Sequence, residues 1–312
     1  MDAFDTIVVG AGPAGCSAAI YASRAGLSVL VLEQGMPGGQ IATTDVVDNY
    51  PGLPQISGSD LGERLKEHAE SVGAVVRYGA VRSLRPLEDG SFTLDAGKTS
   101  YKASTVIVAC GSVPRRAGFE GEEAFRGRGV SYCATCDAMF YRGKRVFVVG
   151  GGNSACEEAR FLSHVASSVD MVVRRDVFRA PKGMVDRLLA EENIKVRYQT
   201  TIVSLEGGKL PETITFHDGA HGTDYQETYP AGSFGVFVFV GTDPLTELVR
   251  PYVDLASDGG VLTDEHMATR TPGLFCAGDI RSKALRQAVT AASDGAIAGT
   301  AAYRYLEDRG AY

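Results

Sequence analysis

Residues 6–26 read TIVVGAGPAGCSAAIYASRAG, and residues 145–164 read RVFVVGGGNSACEEARFLSH. Each is a short β-branched run, a glycine-rich turn and an apolar stretch with helical period, so each reads strand, turn, helix. Gly26 is a suitable stop for the first helix. In Gly10-Ala11-Gly12-Pro13-Ala14-Gly15 the first glycine permits the tight turn. The second lets backbone N–H groups approach a pyrophosphate, and the third lets helix and strand pack closely. The helix N-terminus supplies partial positive charge to the phosphates. Gly150-Gly151-Gly152-Asn153-Ser154-Ala155 repeats the pattern with alanine in the third place.

The strands that follow end on opposite charge. The run at 28–32 (SVLVL) ends on Glu33, where a carboxylate binds ribose hydroxyls. The run at 169–173 ends on Arg174 and Arg175, with Arg179 close behind. Guanidinium forks match a phosphate dianion, so the second unit is expected to take NADPH rather than NADH. One site suits a dinucleotide with a free ribose and the other suits NADP, a combination met by a flavoprotein that holds FAD and NADPH.

Working outward, two such units predict an α/β protein with two Rossmann-like nucleotide-binding domains. An amphipathic helix is expected around Leu61, Leu65, Ala69 and Val72. Short strands are expected at 75–78, 81–87, 92–95 and 105–109, then at 234–240 beyond a helix at 184–191. The segment TPGLFCAGD at 271–279 and the Ala-rich helix after it have no partner unit. They are expected to fold back onto the first domain, which makes the second domain an insertion. The expected boundaries are 1–113 with 244–312 for the FAD domain and 114–243 for the NADPH domain. Both crossings carry Gly and Pro, as hinges do.

The chain has 312 residues, ample for two cores of about 150 residues each. It carries 38 glycines, more than the roughly 7 % of an average protein. With no G-X-Y period and only 12 prolines, collagen and simple disorder are excluded, and the glycines point to tight turns and close ligand approach. A net charge of −7 argues against nucleic acid and anionic membrane as partners. The start, MDAFDTIVVG, lacks the basic flank of a secretory signal, and the apolar run at 234–240 is far short of the ~20 residues of a membrane span. A cytoplasmic location is expected.

Cys16, Cys110, Cys156 and Cys276 stand alone in apolar surroundings and read as small buried hydrophobes. Cys133-Ala134-Thr135-Cys136 is the one close pair, followed by Asp137. Two thiols at this spacing can close a small disulfide and open it by thiolate exchange, and the adjacent carboxyl can handle the proton. A zinc site would need two further ligands. No second CxxC exists and His217 and His221 are remote, so no metal is expected.

Taken together, GAGPAG at 10–15, EQGMPGGQ at 33–40, CATCD at 133–137, GGGNSA at 150–155, RRDVFRA at 174–180 and GLFCAGDI…RQA at 273–288 resemble the bacterial-type, low-molecular-weight thioredoxin reductases. The matches run in that family's order almost from end to end of the chain. The resemblance implies that FAD lies along Gly10, Gly12, Pro13, Ala14, Gly15, Glu33, Gln34, Gly38, Gly39, Gln40, Asn49, Gly111, Gly278, Asp279, Arg286, Gln287 and Ala288. Asp279 would face the ribityl chain, a role compatible with its capping a helix at AGDI. NADPH would lie along Gly151, Gly152, Asn153, Ser154, Arg174, Arg175 and Arg179. Cys133, Cys136 and Asp137 would be catalytic, with Cys136 next to the flavin, Cys133 attacking the partner and Asp137 the acid beside the disulfide.

The implied reaction passes hydride from NADPH to FAD, then electrons to the Cys133–Cys136 disulfide and on to a protein disulfide, thioredoxin's, in a homodimeric enzyme. The inserted domain would turn about its crossings to bring thiols and nicotinamide to the flavin in alternation. One departure stands out: Val173 occupies the place where the family usually has His. Alternatives are a sister enzyme acting on a peroxiredoxin or a glutaredoxin-like carrier, a ferredoxin-dependent reductase, a dithiol oxidase of the same fold, and a non-enzymatic redox sensor.

Overall fold

The computed structural model describes residues 2–44 and 46–310; the expected outer ends of the first domain, Met1 and Tyr312, lie outside the described residues. The chain divides into two compact units, Met1–Val113 with Asp243–Tyr312, and Pro114–Thr242.

In the first unit the strands Val75–Tyr78, Val29–Glu33, Asp2–Val9 and Thr99–Val108 lie side by side and parallel. Thr99–Val108 does two jobs. Its first half pairs antiparallel with Phe92–Ala96, which pairs in turn with Val81–Pro86. Its second half pairs parallel with Leu274–Cys276. That last pairing returns the C-terminal segment to the first unit. Side chains alternate across the sheet. Val8 and Val31 pack with the helices Pro13–Arg24 and Ala288–Glu307. Ile7, Val9, Leu30 and Leu32 pack with Leu84, Phe92 and Leu94 of the antiparallel ribbon. Both faces are covered, which is why the parallel strands read as continuous apolar runs. The two helices meet through small residues. A Cβ on Gly295 would fall on the carbonyl oxygen of Ala14, so only glycine allows this approach.

The second unit repeats the architecture. Ile194–Tyr198, Ser168–Val173, Arg145–Val149, Phe234–Val238 and Val130–Ser131 form a parallel sheet in that order. Thr200–Gly207, Pro211–Asp218 and Thr223–Thr228 form an antiparallel one. Val146 and Val148 point to the helices, and Phe147 and Val149 to the antiparallel sheet. There Arg197 bridges Asp170 and Glu227 while its guanidinium lies over Phe147 and Phe216, so its charge is paired and its plane stacked. The α/β class expected from the two glycine turns is the class observed.

Element ends shift where polarity misleads. The strand expected at 105–109 begins at Thr99, because its TSYKAS half alternates polar and apolar within the ribbon. The first strand reaches back to Asp2, which pairs with Tyr101. Among the described residues, no helix is long and apolar enough to cross a membrane.

Candidate active site

Three groups of site residues are assembled. In the first unit, Gly10 ends its strand with φ +104°, a left-handed conformation that disfavours any side chain. Gly12 precedes the helix Pro13–Arg24 without a side-chain cap, which leaves the first-turn N–H groups to a ligand. Glu33 reaches back across this turn: Ala11 N donates to its Oε2 at 2.6 Å and Gly35 N to its Oε1 at 2.8 Å. Gly38 N donates to Ala11 O at 2.8 Å, so the Gly38–Gln40 turn sits against the fingerprint. Gln34 and Gln40 are exposed beside it. Gly111 lies two residues beyond Ala109, whose carbonyl oxygen touches the space beside Gly10.

The C-terminal segment joins the same place. Gly278 packs on Ala14. Asp279 does not cap a helix as supposed: it lies inside the short turn Gly278–Ile280, which Ala277 precedes. Its Oδ1 is buried and has no hydrogen-bond partner among the described residues. Burial pushes the Asp279 carboxyl above the usual range, and Lys283 and Arg286 oppose this. Arg286 donates to Asp258 at 3.2 Å, while its buried Nε has no hydrogen-bond partner among the described residues. Gln287 caps the helix Ala288–Glu307 through a reciprocal bond pair with Thr290. Asn49 Nδ2 donates to Gln287 Oε1 at 3.1 Å, bringing together two residues 238 positions apart. A glycine cradle, an open helix start and orphaned polar atoms on Asp279 and Arg286 fit a polar dinucleotide such as FAD.

Sequence reasoning missed Asp294. It is buried on the last helix, accepts from Gly278 N at 3.1 Å and Lys283 Nζ at 2.8 Å, and forms an ion pair with Arg281 Nη1 at 2.9 Å. It staples the loop that carries Asp279. The signal was a lone acid within AASDGAIAG, an otherwise small and apolar helix.

In the second unit, Gly152 precedes the helix Asn153–Ser163, again uncapped, with Asn153 and Ser154 exposed at its start. The segment after the next strand folds over this turn: Arg179 N donates to Gly151 O at 2.7 Å. Arg174, Arg175 and Arg179 are exposed and form no ion pair among the described residues. That is the arrangement an added phosphate needs. Val173 is buried directly beneath Gly151.

The third group is the thiol pair, bonded as a Cys133–Cys136 disulfide with Cα atoms 5.3 Å apart. Cys133 precedes the single helical turn Ala134–Asp137, which ends on the carboxylate. Ser131 Oγ lies 2.5 Å from Asp137 Oδ2. Met139 and Phe140, just beyond, are more than half exposed (55 % and 51 %), unusual for such side chains. Cys16, Cys156 and Cys276 are buried, whereas Cys110 is only partly so. Burial pushes the Cys16 thiol up to about 12 and the Cys156 thiol up to about 11, so both stay protonated and unreactive. No metal-binding cluster occurs among the described residues.

Residues 4–295 match the pyridine nucleotide-disulphide oxidoreductase family. A thioredoxin reductase of Listeria innocua is 41 % identical over 98 % of this chain and 94 % of its own length. One from Peptoclostridium litorale is 42 % identical over 98 % of each chain. This chain belongs to the thioredoxin reductase family. The crystal structure of thioredoxin reductase from Streptococcus pyogenes superposes with a TM-score of 0.90, at 40 % identity, covering 98 % of this chain and 99 % of that one. Membership makes the chain a disulfide oxidoreductase whose cofactors are FAD and NADPH, and the alternatives raised by sequence are not favoured.

Proposed function

We propose that this thioredoxin reductase family member carries electrons from NADPH to the disulfide of thioredoxin through the Cys133–Cys136 pair. The observation that carries the reading is the pair itself: a closed disulfide at the start of a turn that ends on Asp137, within the unit that bears the arginine-flanked nucleotide turn. The unit formed by Met1–Val113 and Asp243–Tyr312 binds FAD, and Pro114–Thr242 binds NADPH. When bound, FAD accepts hydride equivalents from NADPH and delivers electron pairs to a disulfide.

The chain's own residues do the rest. The open helix start after Gly12 faces the pyrophosphate, Glu33 takes ribose hydroxyls, and Asp279 offers its buried Oδ1 to a hydroxyl of the ribityl chain. Arg174, Arg175 and Arg179 grip the 2′-phosphate. Once reduced, Cys133 attacks the partner disulfide and forms a mixed disulfide. The partner's released sulfur takes a proton. Cys136 then attacks Cys133 Sγ, which restores the internal disulfide and frees the partner's second thiolate. Asp137 takes the proton from the attacking thiol and returns it to the leaving one. Exposed Met139 and Phe140 supply the apolar step on which the partner rests. The inserted unit turns about Ser112–Pro114 and Thr242–Pro244 between the two half-reactions. The chain works as a homodimer in the cytoplasm.

The test is NADPH oxidation coupled to individual thioredoxins. Cys136→Ser is expected to keep its yellow colour and its bleaching by NADPH while losing all thioredoxin-coupled turnover. A variant that still turned over would remove the thiol pair from the path.

A further inference from the structure

Ser131 stands at the end of the short strand Val130–Ser131 and is buried. Its hydroxyl is placed among three groups. Asp137 Oδ2 lies at 2.5 Å, the carbonyl oxygen of Cys133 at 3.2 Å, and Cys133 N donates to Oγ at 3.1 Å. A hydroxyl has one proton and two acceptor lone pairs. It donates to Asp137 or to the Cys133 carbonyl, but not to both at once.

Resting on the reading of Asp137 given above, we propose that Ser131 is a positioning residue: a hydroxyl rotor that holds Asp137 in one place in both of its protonation states. With Asp137 ionised, Ser131 donates to the carboxylate. With Asp137 protonated, the carboxyl O–H donates to Ser131 Oγ, and the serine proton turns to the carbonyl of Cys133. The Cys133 N–H keeps its acceptor throughout. An acid–base group that cycles during turnover needs this property. A fixed donor would hold only the anion, and a fixed acceptor only the acid. The rotor also ties the carboxyl to the backbone of Cys133, the thiol that attacks the partner, so acid and nucleophile keep their spacing.

Other ionisable groups lie on the elements around Asp137. Tyr141 lies on the next turn, and burial, helped by the Asp137 charge, pushes its hydroxyl up to about 12, so it stays protonated at working pH. The helix packed on this segment, Asn153–Ser163, carries Cys156, Glu157, Glu158 and Arg160. Arg160 is paired with Glu191, burial keeps Cys156 protonated, and burial with the Glu157 charge raises Glu158. The neighbouring strand Phe234–Val238 carries no ionisable side chain. Ser131 is placed to exchange a hydrogen bond with Asp137 in both states.

Removing the hydroxyl takes a donor from the anion, so the proton affinity of Asp137 rises. In Ser131→Ala the pH limb of thioredoxin-coupled turnover governed by Asp137 is expected to move upward by about one pH unit. The pH-optimal rate is expected to fall by about tenfold, the scale of one charge-assisted hydrogen bond. Ser131→Thr keeps the hydroxyl and is expected to restore the limb. Stopped-flow bleaching of the flavin by NADPH, recorded on every variant, reports folding and cofactor loading. Should Ser131→Ala not load flavin, Ser131→Thr decides alone: its limb must match the wild type, and an upward shift overturns the rotor. A Ser131→Ala profile superimposable on the wild type, with Asp137→Asn slowed at least a hundredfold, also overturns it. Full turnover in Asp137→Asn would instead overturn the acid–base reading itself.

Discussion

The two glycine turns are built alike and finished differently. In each, a parallel strand runs into a glycine bend and an uncapped helix opens after it. In the first, the charged residue at the end of the next strand is already engaged: Glu33 Oε2 accepts from Ala11 N in the turn and Oε1 from Gly35 N just beyond the strand. In the second, Arg174, Arg175 and Arg179 stand exposed and form no ion pair among the described residues. One site has a preformed rim, and the other has exposed guanidiniums that, on the proposed reading, close on a phosphate. A resident cofactor suits the first, because pre-organisation lowers the ordering cost of binding. A nucleotide that enters and leaves every cycle suits the second.

The largest effect that tests this contrast is charge reversal in the second turn. Arg174→Glu with Arg175→Glu is expected to lower kcat/KM for NADPH about a thousandfold and to leave NADH within several-fold, since each lost guanidinium–phosphate contact costs roughly tenfold or more. Equal losses for both nucleotides would show that these arginines do not read the 2′-phosphate. Next comes Glu33→Gln, which keeps the shape of the rim but exchanges one acceptor for a donor. FAD is expected to dissociate about ten to a hundred times faster, measured by flavin fluorescence on dilution, with nucleotide preference unchanged. Loss of NADPH preference in that variant would break the separation of the two sites.

A smaller effect follows from Asp279. Its carboxyl binds protons more tightly folded than unfolded, so the folded apoprotein gains from protonation. That contribution is present at low pH and is lost as pH rises through the unfolded and then the folded value. The Tm gap between Asp279→Asn and wild-type apoprotein is therefore expected to favour the variant at pH 7 and to close toward pH 4. The same substitution is expected to weaken FAD retention. The smallest effect is expected of Val173→His, which adds a polar group under Gly151 and should change the NADPH to NADH ratio by only a few-fold.

Much of this was open to a reader of the chain because it is local. A β-branched run, a glycine turn and a helical period lie within 20 residues of one another, and the charge ending the next strand is a single position. The CATCD segment likewise carries its disulfide and carboxylate within five residues. Ser131 was just as near but illegible. A lone serine two residues before a cysteine has no spacing rule, and only coordinates show that its hydroxyl points at Asp137 rather than away. The end of Thr99–Val108 was legible, but its beginning was not. Its polar half is a strand only because Phe92–Ala96 pairs with it.

The chain alone therefore determined two strand–glycine turn–helix units, the opposite charges that follow them and a close cysteine pair, since short-range spacing and side-chain chemistry specify those features. Tertiary structure alone decided which distant residues complete them. It seats Leu274–Cys276 beside Thr99–Val108, brings Asn49 to Gln287, and sets Asp294 on Gly278, Lys283 and Arg281. Such contacts depend on how sheet and helices close on one another. A buried carboxylate is retained only where the packed chain delivers its donors, and no local pattern encodes that delivery.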